Sequence, residues 1–66
     1  MTFSTFKETF DAPCSKSSGF YYAVKGSKSV MYDYRLCYYN LEKNGTVIDD
    51  DVTLEKAQAF LKTQEK

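Results

Sequence analysis

The chain contains no histidine, and this absence removes several chemistries at once. Serine–histidine and cysteine–histidine nucleophilic pairs need an imidazole base, and imidazole is also the commonest ligand of transition metals. Nine basic and nine acidic side chains balance, which fits neither a polybasic nucleic-acid binder nor a strongly acidic mimic of DNA. With 66 residues the chain is too short for a doubly wound sheet, a TIM barrel or a two-domain enzyme. We therefore expect one compact domain spanning residues 1–66.

Cysteine and long apolar runs are also scarce. Cys14 and Cys37 are the two cysteines, fewer than secreted disulfide scaffolds or four-ligand structural zinc sites require. The first eight residues lack the basic and apolar regions of a signal peptide, and no apolar run approaches the roughly 18 residues that cross a bilayer. These absences favour a cytoplasmic protein with no membrane contact, no metal and no cofactor. Whether the two cysteines pair stays open, although reduced thiols are favoured.

The N-terminal segment, Thr2 to Ala12, carries phenylalanines at positions 3, 6 and 10. This spacing places the three rings on one face of a helix, and Thr5 with Glu8 matches a capping box. Threonine and phenylalanine also favour strands, so an edge strand is the alternative to a short helix. Pro13 ends the segment, because the residue before a proline is pushed away from helical dihedral angles.

Two segments in the middle of the chain are expected to be strands. The polar run from Cys14 to Gly19 before them reads as a loop. Phe20 to Lys25 is rich in aromatic and β-branched residues and is followed by the turn Gly26-Ser27. Ser29 to Leu41 is a long run with no turn signal inside it. Its even-numbered positions share one face and its odd-numbered positions share the other.

Asn44-Gly45 predicts a two-residue hairpin of type I′, because both turn positions need a positive φ. The hairpin would pair Lys43 with Thr46, Glu42 with Val47 and Leu41 with Ile48. This register buries Leu41 on one face of the long run, whereas Val30 is buried on the other. A bulge near residues 38–40, or burial of both faces of the sheet, would reconcile the two halves.

The last element is expected to be an amphipathic helix over roughly residues 53–64. Thr53 is a suitable N-cap, and Leu54, Ala57, Phe60 and Leu61 form one apolar stripe. The three acids at positions 49–51 suit the N-terminal end of the helix and the protection of an edge strand. They lack the alternating spacing of an EF-hand calcium loop.

The hairpin and this helix together resemble the hairpin-then-helix unit of many small bacterial and phage proteins, a likeness of architecture that transfers no activity. The expected fold class is α+β in a small single domain. Its elements would be a short N-terminal helix or edge strand, a three-stranded antiparallel meander and a C-terminal amphipathic helix.

Tyrosine and positive charge are concentrated in the same part of the chain. All six tyrosines fall within residues 21–39, and residues 14–38 carry four cations against one acid, whereas the segments on either side are net acidic. Tyrosine and arginine dominate protein interfaces, because they supply large contact areas at low entropic cost. The candidate partner-binding residues are Tyr21, Tyr22, Lys25, Lys28, Tyr32, Tyr34, Arg35 and Tyr38.

The sequence therefore predicts a small non-enzymatic protein-binding module, monomeric or homodimeric, with another protein as its partner. Size and composition favour a phage or mobile-element accessory protein that inhibits a host factor. No catalytic residue is expected, and Cys37 is interpreted as a small buried side chain. The alternative is a single-stranded nucleic-acid-binding module, in which rings stack on bases and cations follow phosphates. Four cations would give such a module little affinity at physiological salt.

Overall fold

A computed structural model describes residues 2–62 of the chain. These residues form two helices and five strands in the order α1, β1 to β5, α2. The bounds are α1 Phe3–Thr9, β1 Cys14–Ser17, β2 Phe20–Lys25, β3 Lys28–Asp33, β4 Tyr38–Lys43, β5 Thr46–Val52 and α2 Leu54–Lys62. The expected α+β class is confirmed, while the three-strand expectation is wrong. Neither helix in the described range is long and apolar enough to cross a membrane.

The five strands form one antiparallel sheet in which each strand pairs with its neighbours in sequence, in the order β1-β2-β3-β4-β5. Both helices pack on the same side of this sheet. We call that side the inner face and the opposite side the outer face. The inner face contributes Tyr21, Ala23, Val30, Tyr32, Tyr39 and Leu41 to the core, and the helices contribute Phe6, Phe10, Ala57 and Leu61.

Aromatic rings fill most of the space between α1 and the sheet. The Phe6 ring lies 4.8 Å from Phe10 and 5.5 Å from Tyr21, measured between ring centroids. Tyr32 and Tyr39 are neighbours on adjacent strands with centroids 4.6 Å apart. Fully burying a phenylalanine ring contributes about 2 to 3 kcal/mol. A small domain with few aliphatic core residues thus depends on ring packing for its stability.

The N-terminal segment is a helix rather than an edge strand. Its N-cap is Thr2, whose side chain accepts a hydrogen bond from the backbone N–H of Thr5, so the predicted capping box at Thr5 and Glu8 is wrong. Thr5 lies one turn inside the helix, where it cannot serve as the cap. The helix ends at Thr9, ahead of Pro13.

The polar run after Pro13 is a strand, which corrects the loop expectation. Cys14 to Ser17 pairs antiparallel with β2, and Ser18-Gly19 makes the turn between them. Serine and lysine are poor indicators of a strand, but β1 lies at the edge of the sheet, where polar side chains are tolerated.

The long run from Ser29 to Leu41 is two strands separated by a turn at residues 34–37. The Asp33 carboxylate accepts hydrogen bonds from the backbone N–H groups of Arg35 (2.9 Å) and Leu36 (3.1 Å). Cys37 then adopts a positive φ of 61°. This turn, rather than a bulge near residues 38–40, changes the buried positions from even-numbered in β3 to odd-numbered in β4.

The predicted hairpin at Asn44-Gly45 is confirmed, with positive φ at both residues. The pairs of Lys43 with Thr46 and of Glu42 with Val47 are also as expected. Leu41 pairs with Asp49 instead of Ile48, because β5 carries an extra residue at that point. A second irregularity lies opposite Asn40, whose Oδ1 accepts a hydrogen bond from the Asp51 backbone N–H.

The C-terminal helix begins as predicted. The Thr53 hydroxyl accepts a hydrogen bond from the backbone N–H of Lys56, as an N-cap does. Ala57 and Leu61 are buried against β3 and β4. The part of the expected helix beyond Lys62 lies outside the described residues.

Candidate interaction surface

The outer face of the sheet carries apolar and aromatic side chains with no helix over them in the described range, residues 2–62. Alternation along the strands defines its members. They are Ser15, Ser17, Phe20, Tyr22, Val24, Ser29, Met31, Asp33, Tyr38, Asn40, Glu42 and Val47. Phe20, Tyr22, Met31 and Tyr38 are half-buried, whereas Val24 and Val47 are exposed. A contiguous apolar area of this kind on a small protein is typical of an interaction site.

Cross-strand register arranges the centre of the outer face in three rows. One row contains Phe20, Asp33 and Tyr38, the next Tyr22, Met31 and Asn40, and the third Val24, Ser29, Glu42 and Val47. Met31 therefore occupies the middle of the middle strand. The Phe20 and Tyr22 rings lie 6.3 Å apart along β2.

Arg35 brings a positive charge to one corner of this face. Its guanidinium carbon lies 5.8 Å from the centroid of the Phe20 ring, and its Nε lies 3.8 Å from the Asp33 carboxylate. The guanidinium also rests against Gly19, where an added Cβ would come within 3.0 Å of Nε. Gly19 thus gives Arg35 the room to cover Phe20, and two-thirds of the arginine side chain remains exposed to solvent.

The predicted partner-binding residues divide between the two faces. Tyr22, Tyr38 and Arg35 lie on the outer face. Tyr21 and Tyr32 lie buried on the inner face under α1. Burial removes these two tyrosines from any surface that a partner would meet in this conformation.

Tyr34 lies at the β3–β4 turn and belongs to neither group. Its ring packs 4.8 Å from that of Tyr21, and its hydroxyl accepts a hydrogen bond from the Gly19 backbone N–H at 3.0 Å. It is 37% exposed, so its ring edge is available while its hydroxyl helps to fasten the turn.

The two lysines among the predicted partner-binding residues lie on the inner side of the sheet. Lys28 is buried, and its Nζ donates a hydrogen bond to the Phe60 carbonyl at 3.0 Å while lying 5.4 Å from the Phe60 ring. Lys25 lines a cleft of about 110 Å³ between the helices, together with Phe10, Asp11, Leu61 and Lys62 among others. The sheet therefore separates these cations from the exposed rings.

Sequence reasoning did not identify the four apolar residues Phe20, Val24, Met31 and Val47 as part of the outer face. The sequence predicts strands at Phe20, Val24 and Met31 but does not say which face of the sheet they occupy. Phe20 and Tyr21 are neighbours of similar size and β-propensity, so their order along the chain does not tell which one faces the helices. Alternation along β2 does predict that Phe20 and Tyr22 share a face, so that assigning Tyr22 to the contact surface would also have assigned Phe20 to it.

Both cysteines are free thiols. Cys14 is half-buried, its Sγ donates to the Ala12 carbonyl, and burial raises the pKa of its thiol. Cys37 is exposed, so its interpretation as a buried side chain is wrong. It is the last residue of the turn at 34–37. Burial raises the pKa of Tyr32 to about 12.

Two of the three acids at the end of β5 make local contacts, Asp49 through its carboxylate and Asp51 through its backbone N–H. The Asp49 carboxylate binds the Lys56 ammonium at 2.6 Å, and this hydrogen bond lowers the pKa of Asp49. Asp51 adopts a positive φ of 52° at the irregularity opposite Asn40. Within residues 2–62, no group of three or more potential metal ligands converges.

The fold and this surface define a small α+β domain with a five-stranded meander, two helices on one face and an aromatic, nearly neutral outer face in the described range. Comparisons with protein-family models, with curated proteins and with solved structures found no match to the chain.

Proposed function

We propose that the chain is a non-enzymatic protein-binding module and that its contact surface is the outer face. The observation that carries this proposal is the asymmetry of the sheet. One face is covered by both helices, while the other presents Phe20, Tyr22, Met31 and Tyr38 to solvent within residues 2–62. Half-buried aromatic and methionine side chains are the types enriched at the centres of protein interfaces.

The distribution of charge favours a protein over a single-stranded nucleic acid. Nucleic-acid sheets combine exposed rings with cations that follow the phosphates. Here Arg35 is the one cation that residues 2–62 place on the outer face, because the lysines of β1 to β4 lie at inner-face positions, and Glu42 opposes it on the same face. Lys25 and Lys28 lie on the inner side, where they cannot accompany a strand stacked on Tyr22 and Tyr38.

The finer proposal is that the bound protein is a host factor that the chain inhibits by covering its surface. It rests on the small size and neutral composition of the chain. A sheet face can cover a partner's surface and block it without any catalytic group of its own.

The test is affinity capture from host lysate with three forms of the chain. The variant Tyr22→Ser/Tyr38→Ser removes two rings from the outer face, and the control Lys7→Ser/Glu8→Ser changes two exposed residues of α1. We expect a protein that binds the wild type and the control and is lost with the outer-face variant. Recovery of the same proteins by all three forms would contradict the proposal. Binding of an oligonucleotide at low salt, abolished by the outer-face variant, would favour the nucleic-acid alternative instead.

A further inference from the structure

The outer face has a self-complementary pattern. Met31 is at its centre, and four corners surround it at similar distances. Strands lie about 4.8 Å apart and two residues along a strand span about 6.8 Å, so each corner is about 8 Å from Met31. One diagonal runs through Val24, Met31 and Tyr38, and all three are apolar or aromatic.

The other diagonal ends in opposite charges. Arg35 covers the Phe20 corner, and Glu42 occupies the opposite corner on β4. Glu42 makes no salt bridge with any residue in the range 2–62, and the Arg35 side chain is mostly exposed. Both charges are therefore available to a molecule that approaches the outer face.

We propose that the partner this face fits is a second copy of the chain, packed face to face about a two-fold axis that passes through Met31. This deepens the proposed function, because it uses the same face and names its occupant. A two-fold axis in the plane of the interface exchanges the Arg35 corner of one copy with the Glu42 corner of the other. Arg35 of each copy then pairs with Glu42 of the other copy. The interface contains this ion pair twice, as two-fold symmetry requires.

The same axis explains where the apolar side chains lie. It runs close to the diagonal of Val24, Met31 and Tyr38, so each of these meets its own counterpart. The strands of the two sheets then cross steeply, near the orthogonal class of sheet packing. Arg35 and Glu42 lie at the rim, as charges usually do at an interface, and the Asp33 carboxylate nearer the centre is already bound by backbone N–H groups of its own turn.

The size of the face limits the dimer to a weak one. Five strands about 4.8 Å apart, each of about six residues, give a footprint of about 490 Å² per copy, or about 1,000 Å² in total. This area is smaller than that of stable complexes and matches that of weak, transient ones. We therefore expect a reversible dimer with a dissociation constant of about tens of micromolar. A tighter partner for the same face would displace the second copy.

The experiment is sedimentation equilibrium of the full chain over about 5 to 500 µM, a range set by that constant. The wild type is expected to move from one to two copies of 7.6 kDa as concentration rises. Glu42→Lys, which sets a lysine against Arg35 of the other copy, is expected to weaken the dimer about tenfold or more. Glu8→Lys makes the same change of charge on α1 and is expected to leave the constant unchanged.

A charge exchange separates this geometry from any other dimer. An equimolar mixture of the Glu42→Lys and Arg35→Glu chains should form a mixed dimer, while neither chain dimerises alone. If Arg35→Glu fails to fold beside Asp33, Glu42→Lys/Arg35→Met replaces it and should dimerise more tightly than Glu42→Lys. Met31→Lys places two like charges on the axis and should abolish the dimer, with circular dichroism confirming the fold.

Two outcomes would overturn the inference: a wild type of 7.6 kDa at every concentration, or equal effects of Glu42→Lys and Glu8→Lys. A monomeric wild type whose captured partner is lost with Tyr22→Ser/Tyr38→Ser would overturn the dimer and leave the proposed function standing. A dimer that is lost with Glu42→Lys, without any other captured protein, would support the inference and overturn the host-factor proposal.

Discussion

Lys28 of β3 donates a hydrogen bond to a backbone carbonyl of the helix α2. A hydrogen bond with a charged donor is stronger than one between neutral groups. The Lys28 ammonium reaches the Phe60 carbonyl from a position 32 residues earlier in the chain. The aliphatic stem of Lys28 is buried, so the residue joins β3 to α2 by packing as well as by charge.

Replacing Lys28 by methionine keeps most of the buried stem and removes the ammonium group. We expect Lys28→Met to lower the free energy of unfolding by about 1 to 3 kcal/mol, because a charge-assisted hydrogen bond is lost and a carbonyl is left without it. Lys25→Met, on the neighbouring strand but exposed, should change the free energy by less than about 0.5 kcal/mol. Urea denaturation measures both, and equal effects would contradict a stabilising role of the hydrogen bond to Phe60.

At the scale of elements, the turns that join β1 to β2 and β4 to β5 each contain a glycine, but the two glycines have different surroundings. Gly19 follows β1 and Gly45 precedes β5, and both have a positive φ, at 87° and 80°. Space distinguishes them: an added Cβ at Gly45 meets nothing within 4 Å, whereas one at Gly19 meets the Arg35 guanidinium. Glycine at position 45 is therefore required only by the backbone conformation. At position 19 it is also required because a Cβ there would occupy the space of the Arg35 guanidinium.

Gly45→Ala is expected to cost about 1 kcal/mol of unfolding free energy, the ordinary penalty of a left-handed conformation for a residue with a Cβ. Gly19→Ala is expected to cost more, because Arg35 must also move. In an Arg35→Ala background the cost at Gly19 should fall to that at Gly45. This double-mutant cycle by thermal or urea unfolding isolates the contact, and no coupling between positions 19 and 35 would contradict it.

At the scale of the whole molecule, the two faces of the sheet contribute unequally to stability. A chain of this size has a total unfolding free energy of about 3 to 10 kcal/mol. Phe6 is fully buried between α1 and the inner face, whereas Phe20 is half-buried on the outer face. Side chains on the inner face therefore contribute most of the unfolding free energy. Substitutions on the outer face are expected to affect binding more than stability.

Phe6→Ala removes a ring whose loss costs about 3 to 5 kcal/mol, most or all of the stability available. We expect this variant to be largely unfolded at 25 °C, and Phe20→Ala to stay folded with a loss of about 1 kcal/mol. The dispersion of amide signals in a proton–nitrogen NMR spectrum distinguishes the two. A folded Phe6→Ala or an unfolded Phe20→Ala would reverse the assignment of the faces.

The parts of this fold that follow from the sequence are those with a local physical signal. Asn44-Gly45 needs positive φ at both positions, and Thr53 with the stripe after it determines where α2 begins. The turn at residues 34–37 has no glycine or proline, since it is built by the Asp33 carboxylate and by a positive φ at Cys37. Alternation alone gave no indication of it.

The candidate surface was predictable only in part, because tyrosine suits either face of a sheet. Tyr22 and Tyr38 lie on the outer face, whereas Tyr21 and Tyr32 are buried under α1. All four of these tyrosines belong to the predicted partner-binding set. Which of two adjacent rings turns inward depends on where the helices pack, and that is decided by contacts far apart in sequence. Lys28 shows the same limit, as its partner lies on the last helix.

The sequential order of the strands has a consequence for how the chain folds. Each pair of neighbours in the sheet is joined by a short turn, so the sheet is assembled from contacts between nearby residues, which close quickly. Gln58 of α2 donates a hydrogen bond to the Thr9 carbonyl of α1 across 49 positions. That contact joins the two helices across all five strands, which lie between them in sequence, so it forms only after the strands have paired. The amide protons of β2, β3 and β4, which are paired on both sides, should therefore exchange most slowly with solvent. The contact between the two helices should form last during folding and break first during unfolding.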